Sequence, residues 1–165
     1  MLLHYIVDGY NLLHAIPSLK QLLDHDAAQA REQLAYLIAR LTLRRKFRCT
    51  IVFDGARPID TPASTHSPVH VVFSSPLSAD AKIKSMIDQS KNRSLLVIVS
   101  SDREILGYAR VCACTTHTSR YFTNMLFEEP NQGEEKDATV LSRGQIDEWL
   151  KIFGEGRIEP PKKKS

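Results

Sequence analysis

Short β-branched apolar runs alternating with helix-period stretches constrain the fold of this chain more than any other feature. Residues 2–7 (LLHYIV), 49–53 (CTIVF), 69–74 (VHVVFS), 94–100 (SLLVIVS) and 111–114 (VCAC) each have the length of a buried strand. Between them, NLLHAIPSLKQLL reads as a helix that Pro17 breaks or restarts, because proline removes a backbone donor. After a capping Asp26, Ala27, Ala30, Leu34, Leu37, Ile38 and Leu41 recur at helical spacing. Ser78 is placed to cap a helix with Ile83, Met86 and Ile87 on its inner side. Ser101 and Glu104 have capping-box spacing, so another helix is expected to begin at 101–102, and TSRYFTNMLF reads as one more. This alternation predicts an α/β fold: a mainly parallel central sheet of about five strands with helices on both faces.

The 165 residues, 42% hydrophobic and 25% charged, suit one domain able to bury its own core. The C-terminal part differs in composition. Residues 129–141 are polar and acidic and read as a linker, following a domain over 1–128. Ser142 and Gln145 make a second capping box for a helix over 142–154, and 155–165 reads as a basic disordered tail ending in PPKKKS. Three cysteines, Cys49, Cys112 and Cys114, give no paired framework, so structural disulfides are not expected and the cytoplasm is the expected compartment. Cys112, Cys114 and His117 lack a fourth ligand for zinc. No basic segment opens the chain ahead of the apolar run that Asp8 interrupts, and no run has the length of a membrane span.

The run YIVDGYNLL poses a sharper question, because a strand is a poor place to end on a carboxylate without a reason. In the expected topology Asp8, Asp54 and Asp102 stand at or just beyond the C-terminal ends of the first, second and fourth strands, and Asp80 lies in the first turn of the helix after the third. Those strand ends share the edge where open parallel sheets bind ligands. Two carboxylates about 5 Å apart repel by roughly 3 kcal/mol at an effective dielectric near 20, so the cluster calls for protons or a cation. Mg²⁺ or Mn²⁺, hard ions that prefer oxygen, suit it and would let water attack a phosphodiester without a protein nucleophile. Each acid also has a local reading. Asp8-Gly9 and Asp54-Gly55 are turn dipeptides, Asp102 suits a first helical turn, and Asp80 can pair with Lys84. Asn11 could bond a ligand water or cap a helix, Ser100 and Ser101 could orient a phosphate, and His14 is expected to pack.

IVDGYNLL, VFDG, SADAKIKSMI and VIVSSDREI, in this order and spacing, resemble the NYN branch of the PIN-like nucleases, and within it the YacP-type proteins, which include a ribosome-associated endoribonuclease. The similarity spans roughly residues 2–128. It implies a PIN-like (Rossmann-like) sheet, an acidic pocket for Mg²⁺ or Mn²⁺, and hydrolysis of RNA. Carried onto this chain, the catalytic and metal-binding acids are Asp8, Asp54, Asp80 and Asp102, with Asn11 as the accompanying polar residue. All four acids are present.

The expectation is therefore a metal-dependent endoribonuclease with RNA, mRNA included, as substrate and the ribosome as a candidate partner. Arg44, Arg45, Lys46 and Arg48 near the end of the long helix, Arg57 in the loop after Asp54, and Arg103 beside Asp102 are the candidate RNA contacts. A solvated helical face is the alternative for the first of these. Two rival functions remain: a catalytically inactive RNA- or ribosome-binding module, and an aspartyl phosphatase, which usually wants a second Asp where this chain has Tyr10. Oligomeric state and the choice between RNA and DNA are not set by these residues.

Overall fold

The computed structural model of the chain describes residues 1–59 and 69–128. The expected linker, last helix and basic tail lie outside the described residues, as does most of the loop after Asp54. Five strands, β1 (His4–Asp8), β2 (Arg48–Phe53), β3 (Val69–Phe73), β4 (Leu96–Val99) and β5 (Thr115–His117), form one sheet in the order β3-β2-β1-β4-β5. Every pairing is parallel. Parallel strands need crossovers, and six helices supply or follow them: α1 (Gly9–Ala15), α2 (Pro17–His25), α3 (Ala27–Arg45), α4 (Ala79–Gln89), α5 (Arg103–Val111) and α6 (Ser119–Phe127).

Side-chain alternation along the strands divides the core in two. Tyr5, Val7, Cys49, Ile51, Phe53, Val97 and Val99 pack with Leu12, Leu13, Leu19, Leu34, Ile38 and Phe122 on the face covered by α1, α2, α3 and α6. Ile6, Val52, Leu96 and Ile98 pack with Ile83, Ile87, Ile105 and Ala109 of α4 and α5 on the other. The result is a three-layer α/β/α arrangement, as the alternation of elements predicted. The helix signals also act as expected at three places: Pro17 opens α2, the Asp26 carboxylate accepts from the Gln29 N–H at 3.0 Å, and the Ser78 hydroxyl accepts from the Ala81 N–H at 3.1 Å.

Two expectations are corrected. VCAC is not a strand: Val111 is the last residue of α5 and 88% exposed, Cys112 caps that helix, and Ala113 turns the chain with a φ of 65°. The fifth strand is the polar run Thr115–His117, whose pairing to β4 comes from the backbone and leaves no apolar pattern to read. Ser101 is not the cap of α5 either. Asp102 is, through its Oδ1, which accepts from the N–H groups of Glu104 at 2.8 Å and Ile105 at 3.3 Å. The run over 94–100 also enters the sheet late, because residues 93–95 form a short 3₁₀ turn.

Candidate active site

The strand order reverses at β1, whose neighbours β2 and β4 are reached by crossovers running in opposite directions. At such a switch point the chain segments leaving two adjacent strands diverge and open a crevice at their C-terminal ends. Asp8 ends β1 there, and Ser100 follows β4 directly. Gly9 lets α1 begin immediately after Asp8: a Cβ on it would lie 2.4 Å from Cε1 of the buried Phe53 ring. Glycine is required here by close approach.

The Asp8 carboxylate is partly enclosed, and burial raises its pKa above the usual carboxylate range. The Ser100 hydroxyl, donating to Asp8 Oδ2 at 3.2 Å, and the nearby Asn11 N–H oppose that rise, while the negative charges of Asp102 and Asp80 add to it. Few donors thus offset the cost of the Asp8 charge in these surroundings. Ser100, fully buried, also accepts from the Asp102 N–H at 3.0 Å and so ties the end of β1 to the turn that carries Asp102.

Asp80 sits in the first turn of α4, where Lys84 pairs with its Oδ2 at 3.3 Å and with Glu104 Oε1 at 2.7 Å. The i,i+4 pair anticipated from the spacing is therefore formed. It leaves Asp80 Oδ1 buried with no hydrogen-bond partner. Asp54 behaves differently: its Oδ1 accepts from the Ala79 N–H at 2.9 Å and lies 3.4 Å from the Ser74 hydroxyl, so it holds the start of α4 against the end of β2. Asp54-Gly55 makes a turn, with Gly55 at a φ of 100°, but leads into a parallel crossover and not a hairpin.

The four acids are therefore on one edge with unequal roles. Asp102 and Asp80 act electrostatically on Asp8, and Asp54 is not among the charges that do. Among the described residues no three His, Cys, Asp or Glu side chains converge closely enough to hold an ion together. The donors that suit a hard divalent cation are the Asp8 carboxylate and the orphaned Asp80 Oδ1, an all-oxygen set that fits an ion retaining several of its waters. The cysteines and His117 form no metal cluster, and all three thiols are free.

Asn11 spans three segments: its Oδ1 accepts from the Ser101 N–H at 2.8 Å and from the Ser119 hydroxyl at 2.6 Å. Ser119, fully buried at the start of α6, is a site residue that sequence reasoning missed, because a serine in a first helical turn ordinarily signals only a cap. His117 lies level with Val99 at the same edge, and its spacing in sequence suggests nothing beyond an incomplete zinc set. Its Nδ1 is buried without a partner, and burial lowers its pKa. His14 does not pack but is exposed in the last turn of α1.

The candidate RNA contacts separate into two groups. Arg57 and Arg103 are exposed near the acidic edge, one in the loop after Asp54 and the other next to Asp102. Arg44, Arg45, Lys46 and Arg48 are not brought there. Arg48 pairs in register with His4 and Val52 with Asp8, which puts the group about 13 Å down the sheet at the opposite edge. Arg44 donates to the Met125 and Glu128 carbonyls at 3.1 and 2.9 Å, closing the C-terminal end of α6, and Arg45 pairs with Glu128 at 2.7 Å. Lys46 caps α3 in the left-handed conformation.

Comparison with known proteins agrees with this architecture. The family model described as a YacP-like NYN domain matches residues 5–151. A crystal structure of Rae1 (YacP) from Bacillus subtilis superposes with a TM-score of 0.63 at 21% identity, covering 74% of this chain and 72% of that one. A tryptophan-to-leucine mutant of the same Bacillus subtilis protein gives a TM-score of 0.61 at 22% identity, with 74% of each chain covered. At these identities the likeness is one of fold. No curated protein sequence matches the chain. Among the described residues no helix is long and apolar enough to cross a membrane.

Proposed function

The chain belongs to the YacP-like NYN domain family, and from that premise we propose that it is a metal-dependent endoribonuclease whose active site is the acidic edge at the end of β1. The observation that carries the proposal is the pairing of a partly buried, charge-crowded Asp8 with a buried Asp80 oxygen that has no partner. A folded protein keeps such unmet demand where a ligand meets it. Asp8 and Asp80 would hold Mg²⁺ or Mn²⁺, with Asp102 adding negative potential from its cap position. When bound, the ion would polarise the phosphodiester and lower the pKa of an attacking water.

The remaining roles belong to the chain itself. Ser100 keeps the Asp8 carboxylate oriented and fixes its distance from the turn at Asp102. Asp54 seats α4, and hence Asp80, against the sheet. Arg103 and Arg57, exposed beside Asp102 and in the loop after Asp54, are the proposed contacts for RNA phosphates near the acids, and the basic edge could engage only RNA long enough to pass around the domain. The ribosome, with mRNA as substrate, is proposed as partner on family grounds. Purified protein should cleave single-stranded RNA in Mg²⁺ or Mn²⁺, stop in EDTA, and lose activity in Asp8→Asn; persistence of full activity in that variant would refute the assignment.

Two observations favour a second reading. Lys84 already neutralises Asp80 in part, and no three-acid set is assembled among the described residues, as expected of an RNA-binding module without catalysis. That reading predicts RNA binding that survives EDTA, with no cleavage in either metal.

A further inference from the structure

We propose that Asn11 serves the substrate and not the metal: its side-chain N–H₂ donates to a non-bridging phosphate oxygen of the RNA, and Ser119 is the positioning residue that keeps it turned that way. The inference rests on the nuclease reading above. Its starting point is the identity of the Ser101 partner, a backbone N–H that can only donate. The atom of Asn11 facing it must therefore be the carbonyl oxygen, 2.8 Å away, which settles the orientation of the amide. The Ser119 hydroxyl, 2.6 Å from the same oxygen, completes the arrangement from α6.

Two consequences follow from chemistry. Oδ1, the one Asn11 side-chain atom able to ligate a hard cation, already accepts two hydrogen bonds and has little left to offer an ion. Nδ2 is the opposite case. It makes no hydrogen bond to the described protein and is not among the buried polar atoms lacking a partner, so it stays open to a ligand. Asn11 sits three residues after Asp8, and its Oδ1 is anchored to the turn that follows Ser100, so its side chain stands at the switch-point crevice. Among carboxylates, a neutral donor lets a phosphate oxygen approach where no further acceptor would. Ser119 is fully buried and 108 residues away in sequence, a placement with no evident purpose in capping α6, which Thr118 performs by accepting from the Tyr121 N–H.

The test separates the metal from the substrate. Mn²⁺ affinity is measured by calorimetry on the full chain, and KM and kcat on a fluorescent single-stranded RNA. Asn11→Ala should leave Mn²⁺ affinity within about twofold and weaken RNA by about ten- to hundredfold, the worth of a hydrogen bond to a charged group. Asn11→Asp keeps an acceptor for Ser101 and Ser119 but replaces the donor with a charge, so it should fold normally and bind RNA more weakly still. Ser119→Ala should raise KM several-fold with kcat and Mn²⁺ affinity unchanged, a split that a mere loss of stability would not produce. A parallel fall in Mn²⁺ and RNA affinity in Asn11→Ala, or tighter RNA binding by Asn11→Asp, would overturn the proposal. If the wild type cleaves no RNA, the nuclease reading fails by itself. Weaker RNA binding by Asn11→Ala in EDTA would still support the donor role, and unchanged binding would refute it.

Discussion

The two edges of the sheet use charge in opposite ways. At the N-terminal edge Arg44 and Arg45 are consumed by structure: the Met125 and Glu128 carbonyls at the end of α6 and the Glu128 carboxylate take their donors. At the C-terminal edge burial and two like charges push the Asp8 pKa up, and Asp80 keeps a buried oxygen unpaired. Each edge carries a cluster of one sign, and at the acidic one a buried carboxylate oxygen is left without a partner among like charges. The lesson is that charge density alone does not mark a ligand site; an unmet buried acceptor beside a crowded carboxylate at a switch point is the stronger sign.

The largest effect should come from removing that demand. Asp8→Asn is expected to lower RNA cleavage on the order of a thousandfold or more, as loss of a group acting on the reacting phosphate does, measured with a fluorogenic single-stranded RNA. The same variant should melt higher than wild type without metal in a thermal scan. The sign follows from the raised pKa: the native state resists ionising Asp8 more than the unfolded chain does, so above both pKa values the charge destabilises the fold. As pH falls through the native-state value the penalty lifts, and the gap in Tm between variant and wild type should close.

Gly9→Ala sharpens the comparison from the packing side. Its Cβ would meet the Phe53 ring at 2.4 Å, so a loss of about 1–3 kcal/mol in urea unfolding is expected, with activity falling as Asp8 shifts. At the other edge Arg44→Ala should cost about 1–2 kcal/mol through two freed carbonyls, yet leave cleavage of a short RNA unchanged. A large loss of short-RNA binding in that variant would break the contrast. Arg103→Ala should weaken RNA without sequence preference and reduce the salt slope by about 1, and Arg45→Ala, removing an exposed ion pair, should change stability by no more than about 1 kcal/mol.

The layer architecture and three helix starts were legible because they rest on local periodicity and capping: Asp26, Ser78 and Pro17 act through residues at most three positions away. VCAC misled because apolar composition cannot distinguish the end of a helix from a short strand, whereas the left-handed turn at Ala113 decides it. Thr115–His117 was invisible for the complementary reason, being a polar strand whose place in the sheet comes from backbone pairing to β4 and not from an apolar pattern. At the site, the edge shared by the four acids could be read from topology. The turn of Asp54 toward Ala79, the capture of Asn11 by Ser119, and the placing of Arg44 and Arg45 on α6 depend on contacts spanning 25, 108 and more than 80 residues. No spacing rule reaches that far.

Mn²⁺ titration of wild type and Asp8→Asn, followed by calorimetry, probes the central claim most directly. Wild type should bind the ion and gain Tm as it saturates, while Asp8→Asn, folded and more stable without metal, should lose most of that response. Equal Mn²⁺ binding by the two proteins would contradict the account, since the carboxylate at the end of β1 would then not be what the ion needs.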